Sequence, residues 1–153
     1  EMKVYRMKAK ISIAFVLAIM VACKKDKFTT KPQLSFTSMN TEVLSPNQSV
    51  IFTMHYTDRE GDIQQTLFVQ KVTKNCTASD FEAPYQIPQT LPKQANAEGD
   101  IQVRFSYGGV PYPQIKEPAC LQNDTRVFRF ALSDLEGNTS DTIVSPQLVI
   151  IKR

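Results

Sequence analysis

The chain of 153 residues carries 18 Lys+Arg against 15 Asp+Glu, a formal net charge of +3, with three cysteines, one histidine and no tryptophan. Residues 1–22 hold four bases and one acid, which accounts for that whole surplus, so residues 23–153 are formally neutral with 14 charges of each sign. The basicity therefore belongs to the leading segment and argues against a nucleic-acid partner for the body. The cysteines and the lone His55 make no zinc pattern, and no phosphate loop, dinucleotide fingerprint or Gly-x-Ser-x-Gly turn occurs.

Lys3, Arg6, Lys8 and Lys10 form a basic start, and residues 11–22 are apolar except for Ser12. That order is the one found in secretory signals, and the run is shorter than the ~20 residues of a membrane span. It ends in Met20-Val21-Ala22-Cys23, which resembles a lipobox with Met in place of the favoured Leu. The pattern predicts cleavage before Cys23 and lipidation of that residue. Three segments follow: a lipoprotein signal peptide over 1–22, a lipidated cysteine with a basic tether over 23–33, and one domain over 34–153. Lys24, Lys25, Lys27 and Lys31 against Asp26 give the tether a charge of +3. Such a segment is attracted to anionic head groups.

The body shows alternation, not helical periodicity. A weak strand is predicted over 33–37. Val50, Phe52, Met54 and Tyr56 then take every second position of a strong one. A long strand follows over 63–72 and a weak one over 85–91. Ile101, Val103, Phe105 and Tyr107 alternate next, then Phe128, Phe130 and Leu132, and the chain closes on apolar residues 148–151. Turn signals separate these runs, among them Glu60-Gly61-Asp62, Gly108-Gly109 and Glu136-Gly137-Asn138. The expected fold is all-β: an immunoglobulin- or fibronectin-like antiparallel β-sandwich of about seven strands.

Two segments repeat one pattern. Residues 52–62 and 128–138 each run as a core strand into Asp-x-Glu-Gly, at Asp58-Arg59-Glu60-Gly61 and Asp134-Leu135-Glu136-Gly137. Asp can close such a turn with its side chain, and Gly supplies positive φ. The lipobox cysteine, the lysines after it and these two turns together resemble the small surface lipoproteins common in Bacteroidota. The resemblance implies an outer-membrane, lipid-anchored protein of the cell envelope. Only one acid, Asp26, stands in the stretch after Cys23 where that group places paired acids for surface export. The resemblance also makes Asp141-Thr142-Ile143 a candidate O-glycosylation site at Thr142.

In immunoglobulin strand order the two Asp-x-Glu-Gly turns lie at one end of the sandwich, about 10 Å apart across the sheets. Asp58, Glu60, Asp62, Asp134, Glu136 and Asp141 would then crowd that end as a candidate calcium site. The plainer alternative leaves each Asp closing its own turn and each Glu solvated. The same order brings the tether to this acidic end. At the far end lie Cys76 and Cys120, the two thiols left once Cys23 is lipidated, and export predicts a disulfide between them. Phe81, Tyr85, Tyr107 and Tyr112 mark loops that offer either a partner surface or packing against the sheet edge.

No catalytic set emerges. His55 falls mid-strand on the face opposite Phe52 and Met54, and the turns offer little cleft for a substrate. The expectation is a non-enzymatic, lipid-anchored extracytoplasmic interaction or accessory module that requires no cofactor, calcium aside. The partner would be the membrane through the lipid, plus a protein or glycan. The alternative is a carbohydrate-binding accessory lipoprotein that uses its aromatic loops.

Overall fold

The computed structural model describes residues 26–73, 76, 81–108 and 112–153. Residues 1–22, Cys23, Lys24 and Lys25 lie outside the described residues, so the signal-peptide and lipidation expectations have no structural counterpart here.

The described chain is all-β. It forms β1 (Gln33–Met39), β2 (Val43–Leu44), β3 (Ser49–Asp58), β4 (Thr66–Thr73), β5 (Phe81–Gln86), β6 (Ala97–Ser106), β7 (Asp124–Ser133), β8 (Ile143–Val144) and β9 (Leu148–Ile150). No helix occurs among the described residues, and so none is long and apolar enough to cross a membrane. Two sheets face each other. One has the order β1-β3-β6, and the other β2-β9-β7-β4-β5, with β8 also on β7. The pairings are antiparallel except β2 with β9, which is parallel.

Alternation along the strands builds the core. Val50, Phe52 and Met54 of β3 point inward and are fully buried, as are Phe128, Phe130 and Leu132 of β7. Phe52 meets Phe128 and Phe130 across the sandwich at ring-centroid distances of 4.7 and 5.4 Å, and Phe105 lies 5.7 Å from Phe128. These phenylalanines fill the space between the sheets in a chain without tryptophan. Each buried ring stabilises by about 2–3 kcal/mol relative to exposure.

Among the described residues nine strands replace the expected seven for two local reasons. The first strand switches sheets: β1 pairs with β3, a register shift falls between Phe36 and Ser38, and β2 then joins β9. The last strand is broken into β8 and β9 around Ser145 and Pro146, because proline has no N–H for the ladder. At the break Ser145 N donates to the Phe128 carbonyl at 2.8 Å, and Phe128 N donates to Ser145 Oγ at 2.9 Å.

Two predicted strands are displaced. The one expected over 63–72 begins only at Thr66, because a tight Gln65 N to Ile63 O bond of 2.7 Å turns the chain first. The one expected over 85–91 is β5, which ends at Gln86 before Pro88. Cys76, just beyond β4, is bonded to Cys120, just ahead of β7, with Cα atoms 5.7 Å apart.

Candidate functional site

The two Asp-x-Glu-Gly turns close as their residue types dictate. Asp58 Oδ2 accepts from Gly61 N at 2.6 Å and from Asp62 N at 3.2 Å. Asp134 Oδ1 accepts from Asn138 N at 2.7 Å, and its Oδ2 accepts from Asn138 Nδ2 at 2.9 Å. Gly61 and Gly137 take φ of 67° and 89°, the left-handed region open to glycine.

The turns lie much closer than the 10 Å spacing of two flat sheets. Leu135 N donates to the Asp62 carbonyl at 2.9 Å, which ties one turn to the other. Asp58, Asp62 and Asp134 are all buried and can each bring an oxygen within 4.8 Å of the others. Asp58 is wholly inaccessible, Asp62 is 5% exposed and Asp134 is 1% exposed. Asp58 Oδ1, Asp62 Oδ1, Glu60 Oε2 and Gln64 Oε1 are buried without a hydrogen-bond partner. Burial pushes the Asp58 carboxyl up from its ordinary value. The Asp62 and Gly61 amides oppose that shift, and the charges of Asp62 and Glu60 add to it.

Of the six acids proposed as one cluster, two stand apart. Glu136 is exposed at the tip of its turn. Asp141 is exposed and pairs with Lys31 Nζ at 2.6 Å, so its charge is directed to the tether. Gln64 was not among the sequence candidates. It is buried, and its Nε2 donates to the Leu91 carbonyl at 2.9 Å. No local pattern marks it.

The basic segment does reach this end of the sandwich, and its described part is docked on the domain. Thr57 Oγ1 donates to the Lys27 carbonyl at 2.9 Å, Arg59 Nη2 to the Phe28 carbonyl at 2.9 Å, and Arg59 N to the Thr29 carbonyl at 3.2 Å. Lys27 also pairs with Glu98, which holds the Glu98 carboxyl below its usual value, chiefly through the hydrogen bond.

The four aromatic candidates separate. Tyr107 is a core residue, not a loop residue: it is 2% exposed, and its hydroxyl donates to the Ile151 carbonyl at 2.9 Å. It continues the inward alternation of β6 one step past the strand, which is why it is buried. Tyr85 is half-buried, 5.9 Å from the Phe105 ring in an edge-on contact. Phe81 opens β5 opposite Lys71. Tyr112 remains exposed, with the Arg104 guanidinium 4.8 Å from its ring centre and Arg104 Nη1 donating to its hydroxyl at 2.7 Å. Nearby, an open groove of about 390 Å³ runs between the edges of the two sheets, lined in part by Tyr85, Leu91, Ile101, Val103, Arg104 and Pro113. Gly109, Val110 and Pro111 lie outside the described residues.

His55 and Thr142 sit on the surface. His55 Nδ1 lies 3.0 Å from Asp100 Oδ1 on the outer face of the three-stranded sheet. Thr142 is exposed between Asp141 and the start of β8.

No family model and no curated protein sequence matches the chain. Among the solved structures similar in shape are two that can be compared directly. The sporulation control protein Spo0M from Bacillus subtilis aligns over 82% of this chain and 51% of its own, with 10% identity and a TM-score of 0.45. The chain thus spans about half the length of that protein. A Niemann-Pick type C2 protein from the Japanese carpenter ant aligns over 80% of this chain and 95% of its own, with 9% identity and a TM-score of 0.40. At this level of overlap neither carries a functional reading to this chain.

Proposed function

We propose that the chain is a non-enzymatic, lipid-anchored extracytoplasmic module of a bacterial cell envelope, built on an immunoglobulin- or fibronectin-like sandwich and held at the outer membrane by Cys23. The observation that carries this reading is the basic start, apolar run and small-residue-Cys junction that end at Cys23. The Cys76–Cys120 bond agrees with export, since structural disulfides persist in oxidising compartments. Residues 27–29 dock beside Thr57 and Arg59 at the acidic end, which supports an anchor on that side. Tyr112 is exposed and open to a partner. Intact and peptide mass spectrometry of the membrane fraction tests the reading. Loss of residues 1–22, a diacylglycerol adduct on Cys23 and release of Cys23→Ala from membranes are expected. An unmodified Cys23 on a freely secreted chain would overturn it.

A carbohydrate-binding role is the second reading, favoured by one feature. Tyr112 is an exposed ring braced by Arg104 beside the groove between the sheet edges, an arrangement suited to stacking on a sugar. Glycan arrays should then show binding that is lost in Tyr112→Ala. No glycan bound by the wild type would leave the first reading alone.

A further inference from the structure

We infer that Asp58, Asp62 and Asp134 form a calcium site, and that the ion clamps the two Asp-x-Glu-Gly turns together. Convergence is the first ground. The three carboxylates come from two turns distant in sequence, yet each can place an oxygen within 4.8 Å of the other two. Calcium binds oxygens at about 2.4 Å, so any two of its ligands lie within about 5 Å of one another.

The second ground is independent of the first. Asp58 and Asp62 are more than nine-tenths buried, and each keeps one oxygen, Oδ1, with no hydrogen-bond donor. Among the described residues none of the three aspartates has an ion pair; the nearby bases Lys27 and Lys31 are committed to Glu98 and Asp141. Closing the turns explains Asp58 Oδ2 and both oxygens of Asp134, but not these remaining oxygens. Concentrated negative charge out of water is strongly unfavourable unless a cation balances it.

The donor set selects the ion. It offers only oxygens, from three carboxylates, and no imidazole or thiolate, which points to a hard cation over zinc or copper. The donors sit on two irregular turns, which suits the variable six- to eight-fold coordination of calcium better than the strict octahedron of magnesium. The bound ion would reinforce the single Leu135 N to Asp62 O contact between the turns. It would also stiffen the stretch from Thr57 to Arg59 on which residues 27–29 are docked. The site stands whether or not Cys23 carries a lipid.

The test uses the full chain purified in detergent and stripped with EDTA. Equilibrium dialysis against calcium should give one ion per chain. Calorimetry should show Tm rising by about 10 °C at a hundredfold excess of calcium over its Kd, with a smaller rise for magnesium. The Asp62 side chain accepts no hydrogen bond from the described residues, so Asp62→Asn isolates the metal role from turn closure; it should lose both the binding and the rise. Asp141→Asn, outside the site, should keep both. Failure of the wild type to bind at millimolar calcium overturns the site, as does unchanged calcium affinity in Asp62→Asn. Binding without a rise in Tm overturns the clamp.

Discussion

Gly61 and Gly137 hold matching places in two similar turns, but only one of them is enclosed. Both adopt positive φ. A Cβ on Gly61 would collide with the Gln94 backbone carbonyl, whereas one on Gly137 would meet nothing within 4 Å. Gly61→Ala is therefore expected to destabilise by about 3 kcal/mol or more, and Gly137→Ala by about 1 kcal/mol, as read from urea midpoints. Equal losses in the two variants would show that the Gln94 contact contributes nothing. The repeated Asp-x-Glu-Gly spacing made the turn chemistry legible in advance. The asymmetry was not, because Gln94 reaches Gly61 from the connection between β5 and β6, remote in sequence. Tyr107 teaches the same lesson. Alternation in β6 pointed it inward, and the loop that follows it misleadingly suggested exposure.

At the scale of elements, the strands were legible where apolar residues alternate and illegible where hydrogen bonding decided. Sheet switching between β1 and β2 and the break at Pro146 depend on the partners available to each backbone group. The inner face of the sheet also turns polar toward the disulfide end. Lys71 and Thr73 of β4 and Asp124 and Arg126 of β7 are buried on it, and Arg126 is paired with Asp124. Extending the Phe128–Phe130 alternation backward places Arg126 on the inner face, where it is buried. The disulfide closes over this less apolar end. Replacing both cysteines, Cys76→Ser with Cys120→Ser, is expected to cost about 4 kcal/mol, from the 44-residue separation of the two. Urea unfolding measures it, and an unchanged midpoint would mean that the loop is ordered without the bond.

The whole molecule depends on contacts between sheets. Phe52 belongs to the three-stranded sheet and packs against Phe128 and Phe130 of the other. Phe52→Ala is expected to destabilise by about 3–5 kcal/mol while leaving a single cooperative transition, since one core unites both sheets. Leu121 is 98% exposed, so Leu121→Ser should change stability by less than about 0.5 kcal/mol. Thermal denaturation followed by far-UV circular dichroism distinguishes the two. A Phe52→Ala variant that melts in two steps would show that the sheets fold separately.

Residue order alone determined the all-β class, the strands with strong alternation and the residues that close the two aspartate turns; the pairing of Cys76 with Cys120 was an expectation drawn from export, and the structure shows the bond. These follow from local periodicity, side-chain reach and the small number of thiols. Only the tertiary structure decided that Asp58, Asp62 and Asp134 are buried together while Glu136 and Asp141 are not. It also decided that Gln64 brings an oxygen into the buried turn, that Tyr107 belongs to the core, and that residues 27–29 lie docked on the domain. Burial and proximity are properties of segments that meet across two sheets, and no pattern within one segment encodes how closely another will approach it.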